Sequence, residues 1–330
     1  MRAATMPGVT PLAEPTCRPP LNWVGGKSII RDIVALLFPP EADRYAEHFF
    51  GGGSMLFSTP PIPGRMEVVN DFDSNLVNFY LCVRDRLFAL LEALKLLPLQ
   101  TEYEFNLLKK FLAGEEILPD FSPNELQIAR RWLTQEQYQE IEPILKGRAQ
   151  PWDIQRAVAF YKVNRFCFNG TMDAYAVKPA RLYRFLATIL AASQRLKDVV
   201  ITNRDFADSF RLNDKPGTLH YFDPPYFMTE HMYTAQFSRM DHQRLHDLVM
   251  TPETKGHAVI SYNDAPYIRG LYRDGYILAF SRANSMSGKA GSKFEELLIT
   301  NFDPRPIIEA NGQMSMFGDL PNGLQLVNIP

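Results

Sequence analysis

Thr218-Leu219-His220-Tyr221-Phe222-Asp223-Pro224-Pro225-Tyr226 joins an apolar run to a rigid acidic turn. Thr218 to Phe222 read as a buried strand, and the chain then breaks on an acid, two imides and an aromatic ring. The Asp223 carboxylate and the Pro224 carbonyl are hydrogen-bond acceptors whose relative placement is fixed by locked proline φ angles. Two such acceptors aimed at the N–H groups of an aromatic amine draw its lone pair back onto nitrogen, and Tyr226 supplies a face on which a base can stack. A strand ending in a tight Asp-Pro turn for conformational reasons alone is the competing reading, and the remaining motifs arbitrate between the two.

Upstream, Arg44 to Phe50 is apolar enough for a short strand and runs directly into Gly51-Gly52-Gly53-Ser54 and a helical Met55-Leu56-Phe57. Strand, glycine loop and helix is the arrangement by which an open α/β sheet lets a nucleotide-like ligand approach its backbone. Glu67-Val68-Val69-Asn70-Asp71 follows, a second strand ending in an acid where such folds bind ribose hydroxyls. An N-cap is the other role for an acid here, and Asp71 and Asp73 together can fill both. Before these, Trp23-Val24-Gly25-Gly26-Lys27-Ser28 is a glycine turn presenting an aromatic and a lysine. It lacks the glycine that a phosphate-binding P-loop requires at the position of Leu21, which removes an ATPase reading.

Sheet-like segments resume at Val199-Val200-Ile201-Thr202-Asn203 before Asp205-Phe206, at Leu219 to Phe222 and at His257 to Tyr262. Tyr276 to Phe280 and Glu296 to Thr300 predict a closing antiparallel hairpin. The expected fold is therefore α/β, a Rossmann-like seven-stranded sheet with the last strand antiparallel. Between its halves, apolar residues at helical spacing (Leu87, Leu90, Leu91, Leu94; Phe185, Ile189, Leu190) predict an inserted helical domain. The expected organisation is a tail over 1–20, a catalytic domain from 21–80 and 197–301, a helical target-recognition insert over 81–196 and a tail over 302–330.

The chain of 330 residues, 46% hydrophobic, is long enough to bury a large core, and its formal charge of −2 excludes a protein that coats nucleic acid by bulk electrostatics. The distribution is uneven, however. From Trp152 to Phe206 nine basic residues face four acidic ones, interleaved with Tyr161, Phe166, Phe168, Tyr175 and Tyr183. That mix suits a surface gripping phosphates and bases, with Lys162, Arg165, Asn169 and Gly170 as candidate DNA contacts; a solvated helix face carries the same mix. Cys17, Cys82 and Cys167 are too scattered for a disulfide framework or a zinc site, so no metal is expected. Without a membrane-length apolar run or a signal segment, the chain reads as cytoplasmic, close to the nucleoid of a bacterial cell.

Taken in order, Trp23 to Lys27, Phe49 to Gly53, Asn70 to Asn75, Asn164 to Gly170, Ile201 to Phe206, Tyr221 to Tyr226 and Glu295 to Asn301 resemble the Dam-type, alpha-group (D12) N6-adenine DNA methyltransferases, over about residues 20–301. The resemblance implies S-adenosylmethionine as cofactor, held by Trp23, Lys27, Phe49, Gly51, Gly53, Asp71, Asp205, Phe206 and Asp223. It implies catalysis by Asp223, Pro224 and Tyr226, and direct methyl transfer to N6 of an adenine flipped out of double-stranded DNA, with no histidine base. Alternatives within reach of the sequence are an RNA adenine or DNA cytosine-N4 methyltransferase, or a noncatalytic DNA-binding protein on the same fold. Thr171-Met172-Asp173 departs from the Leu-Cys-Arg of enzymes that read GATC, and Asp73 stands where the family often has Asn. Finally, Gln313-Met314-Ser315-Met316-Phe317 resembles the Gln-Leu-Ser-Leu-Phe peptide that docks in the replication sliding clamp, with Gln313, Met316 and Phe317 as anchors. A tail packed on its own domain accounts for the same residues.

Overall fold

The computed structural model describes residues 17–23, 31–96, 101–115, 122–139, 142, 152–167, 172–176, 186–227, 237–283, 293–311, 320 and 324–330. One mixed sheet organises them: β1 (Arg44–Glu47), β2 (Met66–Asn70), β3 (Val200–Thr202), β4 (Thr218–Phe222), β5 (His257–Asn263), β6 (Tyr276–Ala283), β7 (Lys293–Thr300) and β8 (Gln325–Asn328), in the order β3-β2-β1-β4-β5-β7-β6-β8. Strands β1 to β5 are parallel, so their carboxyl ends share one edge. β7 runs antiparallel between β5 and β6, the hairpin read from the sequence. β8, which falls inside the expected C-terminal tail, instead pairs with β6 and makes an eighth strand.

The helices in chain order are α1 (Arg31–Ala35), α2 (Ser54–Ser58), α3 (Ser74–Asp85), α4 (Leu87–Leu96), α5 (Glu102–Leu112), α6 (Ser122–Trp132), α7 (Ile154–Phe166), α8 (Leu186–Leu196), α9 (Phe206–Asn213), α10 (Arg239–Val249), α11 (Pro266–Leu271) and α12 (Arg305–Ala310). Period-two alternation divides the strand side chains between two cores. Tyr45, Leu219, Tyr221, Val259 and Leu298 meet Phe79, Val83, Phe160, Ile189 and Leu196 on one face. Phe222, Ala258, Ile260, Leu297 and Ile299 meet Phe210, Leu245, Val249 and Ile268 on the other.

Between β2 and β3 the named elements are all helices, yet α7 and α8 are built into the sheet's own core rather than set apart from it. A buried ion pair adds to this attachment. Arg195 of α8 makes a two-pronged contact with Glu67 of β2, Nη2 to Oε1 at 2.9 Å, and its Nε donates to the Thr59 carbonyl. The edges expected for the insert at 81 and 196 therefore do not coincide with a break in packing.

Under the second face runs a buried polar chain. His48 Nδ1 lies 2.9 Å from Ser209 Oγ, its Nε2 lies 2.9 Å from His220 Nδ1, and His220 Nε2 is 3.4 Å from Asp214. Burial holds both imidazoles below their ordinary range, and each His48 charge would also be repelled by His220; Asp214 opposes the shift at His220 without reversing it. The folded state therefore resists protons that the unfolded chain accepts below about pH 6.5, and stability is lost as pH falls. Urea unfolding should show stability dropping by up to about 1.4 kcal/mol per pH unit per histidine below that point. His48→Gln should flatten the acid limb, and an unchanged limb would remove the chain as its cause.

Candidate active site

β1 ends in Glu47 and leads through His48-Phe49-Phe50 into the glycine loop. Phe50 N–H donates to Asn70 O at 2.9 Å and Gly53 N–H to Phe50 O at 2.7 Å, closing a tight turn. Gly51 (φ 48°) and Gly53 (φ 70°) occupy the left-handed region that a side chain disfavours. Space imposes the same choice. A Cβ on Gly51 would sit 2.5 Å from the Trp23 indole nitrogen, and one on Gly53 2.6 Å from the Phe57 ring. Trp23 thus packs on the loop, while Lys27 lies outside the described residues.

Asp71, one residue past β2, binds the loop through its side chain. Its Oδ2 accepts Gly51 N–H at 2.8 Å and its Oδ1 accepts Asp73 N–H at 2.9 Å. Burial pushes this carboxyl up to about 6, against the lowering effect of those bonds. Asp73 caps α3 through Asn75 and Leu76 N–H, which is the N-cap role considered for these acids. Phe72 between them is 66% exposed. Sequence reading missed Asn70, whose side chain donates to His48 O and Arg204 O and accepts from Thr202 Oγ1 and Arg204 N. It sews together the carboxyl ends of three strands; its signal was an amide at the end of an otherwise apolar strand.

On the neighbouring wall Asp205 caps α9 through Ala207 N–H and pairs with Arg244 at 2.8 Å. Phe206 stacks on Phe49 (5.4 Å between centroids, 28°), with Phe237 against both. The Arg244 guanidinium lies 4.8 Å over the Phe206 ring.

Asp223 leaves the end of β4. Its Oδ1 lies 3.3 Å from Ser261 Oγ of β5, which is 2.9 Å from the Tyr221 hydroxyl. Tyr226 is buried instead of standing out from the loop, and its hydroxyl bonds Glu296 of β7. Asn263 of β5, paired in register with Glu296, donates to the next carbonyl, Phe227 O, at 3.2 Å. Two adjacent strands therefore grip two successive residues of the loop. None of Glu47, Ser261, Asn263 or Glu296 was read as a site residue; each is a polar side chain near the carboxyl edge of the site in a strand of apolar neighbours.

The helical contacts differ from expectation. Lys162 is 2% exposed and points inward to Glu104 of α5, 3.7 Å away. Burial lowers its ammonium to about 8. It is therefore no surface phosphate contact, because α7 is enclosed on nearly every side and its one lysine has no route outward. Arg165 and Asn164 instead hold Asn22, next to Trp23: Arg165 Nη1 donates to Asn22 Oδ1 at 3.0 Å, and Asn164 bonds the Asn22 backbone both ways. Asn169 and Gly170 lie outside the described residues, as do Gln313, Met316 and Phe317. Among the described residues no three ligand-type side chains gather for a metal, and no helix is long and apolar enough to cross a membrane.

A parallel sheet in the order 3-2-1-4-5, completed by an antiparallel strand between β5 and β6, with its glycine loop and acids at the carboxyl edge, is a Rossmann-like methyltransferase architecture. The chain belongs to the D12 class N6 adenine-specific DNA methyltransferase family, whose family model matches residues 23–286. It is 26% identical over 298 residues to the type II methyltransferase M1.LlaDCHI of Lactococcus lactis subsp. cremoris, covering 86% of this chain and 95% of that protein. It is also similar to the DNA adenine methylases of Vibrio cholerae (27%, covering 84% and 94%) and Haemophilus influenzae (23%, covering 77% and 82%).

Beneath Asp223 sits a second carboxyl. Glu47 is 3% exposed, accepts from the Tyr45 hydroxyl at 3.0 Å, and is held well above the ordinary carboxylate range by burial, with the Asp223 charge adding to the shift. A group protonated when folded and ionised when unfolded costs stability above its unfolded value of about 4.3. Glu47→Gln, which mimics the neutral form, should therefore match or exceed wild-type stability near pH 7.5 and lose that advantage toward pH 4. Urea titrations at both pH values check this; a destabilised Glu47→Gln at the higher pH would mean the carboxylate form is required.

Proposed function

We propose that this chain methylates N6 of an adenine rotated out of double-stranded DNA at a defined sequence, using S-adenosylmethionine. The observation that carries the reading is the strand order β2-β1-β4, which sets Asp71, the glycine loop and Asp223 side by side. With neighbouring strands about 4.8 Å apart, the ends of β2 and β4 are separated by about 10 Å, a span suited to a donor on one side and an acceptor amine on the other. The residues present fit such a donor. Asp71 uses each oxygen for one backbone N–H and retains lone pairs for ribose hydroxyls, and the exposed Phe72 ring beside it offers a face to a purine.

S-adenosylmethionine, when bound, supplies an electrophilic methyl group and its own leaving group. The protein's part is orientation and electrostatics. Asp223 Oδ and Pro224 O accept from the adenine amino group and localise its lone pair for attack. Ser261 fixes the Asp223 rotamer, and Glu296 and Asn263 fix the loop from which both acceptors project. Tyr226, held at its hydroxyl, forms the wall against which the base seats. Alignment of two bound reactants is worth roughly 7–11 kcal/mol of barrier, so a loop anchored at three points has a direct catalytic use.

Purified protein incubated with S-adenosylmethionine and duplex DNA should yield N6-methyladenine by nucleoside mass spectrometry. Asp223→Ala should lower kcat by at least about 100-fold at unchanged melting temperature. N4-methylcytosine as the product, or turnover on RNA alone, would replace this reading. Donor affinity measured by calorimetry should weaken as pH falls through about 6, where Asp71 protonates, and Asp71→Asn should remove that dependence.

A further inference from the structure

Beside the catalytic loop stands a ladder of three flat groups. Phe227, the residue after Tyr226, stacks on Tyr267 of α11 (4.7 Å between centroids, 28°). The Arg239 guanidinium lies 4.3 Å over the other partner in the ladder, the Tyr267 ring, and Tyr267 Oη is 3.5 Å from Arg239 O. Topology puts the ladder on the rim of the site. α10 and α11 follow β4 and β5, so Arg239 and Tyr267, at their first turns, lie at the carboxyl edge from which Asp223 projects.

The cations along this rim are held differently. Arg244 is bound by Asp205 and Asp241, and Arg269 by Asp264, so their charge is locally cancelled. Arg239 is exposed, and among the described residues no carboxylate lies within ion-pair distance of it. A ring face orients a guanidinium without consuming its N–H donors, which leaves the planar fork available for a two-pronged bond to phosphate. Met240, the neighbouring residue, is 77% exposed, so the approach is open.

We infer that Arg239, oriented by Tyr267, is a phosphate contact for the DNA strand next to the extruded adenine. This rests on the function proposed above and deepens it. An extruded nucleotide swings about its own backbone, so a fixed cation beside the pocket holds the pivot. The stack from Arg239 through Tyr267 to Phe227 then sets that pivot relative to the acceptors of the loop. A phosphate contact carries no sequence information, which distinguishes it from base readout.

Fluorescence anisotropy of wild type, Arg239→Ala and Arg239→Lys on a duplex carrying a site that the wild-type protein methylates, and on a scrambled duplex, tests this across a salt series. Loss of one phosphate contact lowers the slope of log affinity against log salt by about 0.9. Arg239→Ala should show that decrease on the target duplex with an unaltered melting temperature, and Arg239→Lys should keep the wild-type slope. An unchanged slope in Arg239→Ala on the target duplex overturns the inference. Wild-type assays on the same target duplex separate the two levels: failure to form N6-methyladenine removes the proposed function and this inference with it, whereas methylation with an unchanged Arg239→Ala slope removes only the phosphate contact.

Discussion

Both oxygens of the Asp71 carboxylate accept backbone N–H groups, one from the glycine loop and one from the turn into α3. The loop cannot hold its own shape, because left-handed glycines gain entropy when released. It is fixed from outside, by Asp71 below, by the Tyr80 hydroxyl on Gly51 O at 3.2 Å and by the Trp23 indole above. Trp23 in turn follows Asn22, which α7 grips through Asn164 and Arg165. The helical layer therefore contributes to the site by holding the segment that packs on the glycine loop, although its own residues lie far from Asp223 in sequence.

A second polar layer underlies the acceptor loop. Glu47, Ser261 and Glu296 come from three strands, and each engages a tyrosine hydroxyl: Tyr45, Tyr221 and Tyr226. The Asp223 charge repels Glu47, and that repulsion is relieved if Glu47 retains its proton, the direction in which burial drives it. Tyrosines suit this layer because each buries a large ring while presenting a single donor to a carboxylate or hydroxyl.

Local pattern made the sheet legible. Glycines and acids at strand ends are punctuation that a sheet with ligands at its carboxyl edge demands, and the hairpin of β6 and β7 follows from two apolar runs. What escaped were pairings across long separations. Lys162 reads as a surface cation until Glu104, on another helix, draws it inward, and α7 carries no clear polar face to warn that it is enclosed. Glu296 is 70 residues from the hydroxyl it binds, and Asn70 joins strands separated by 132 positions. The sequence places these groups in strands but says nothing about which neighbour each strand will have. β8 was hidden for a related reason, since its four residues acquire strand character only by pairing with β6.

Charge explains how a chain of net −2 can still act on a polyanion. Arginine is used repeatedly as an internal fastener: Arg195 to Glu67, Arg165 to Asn22 and Arg84 to the Val199 carbonyl all join separate elements. Where such a cation is paired with a carboxylate, as Arg195 is with Glu67, its charge is offset within the fold. Among the described residues Arg239 is a cation left open at the rim, and under the function proposed here a short-range contact of that kind would favour the placement of one nucleotide over general adhesion to the duplex. For chemistry that must align one amine with one methyl group, placement is the quantity that matters, and a strongly basic surface would hold the duplex in many registers that do not present an adenine to Asp223.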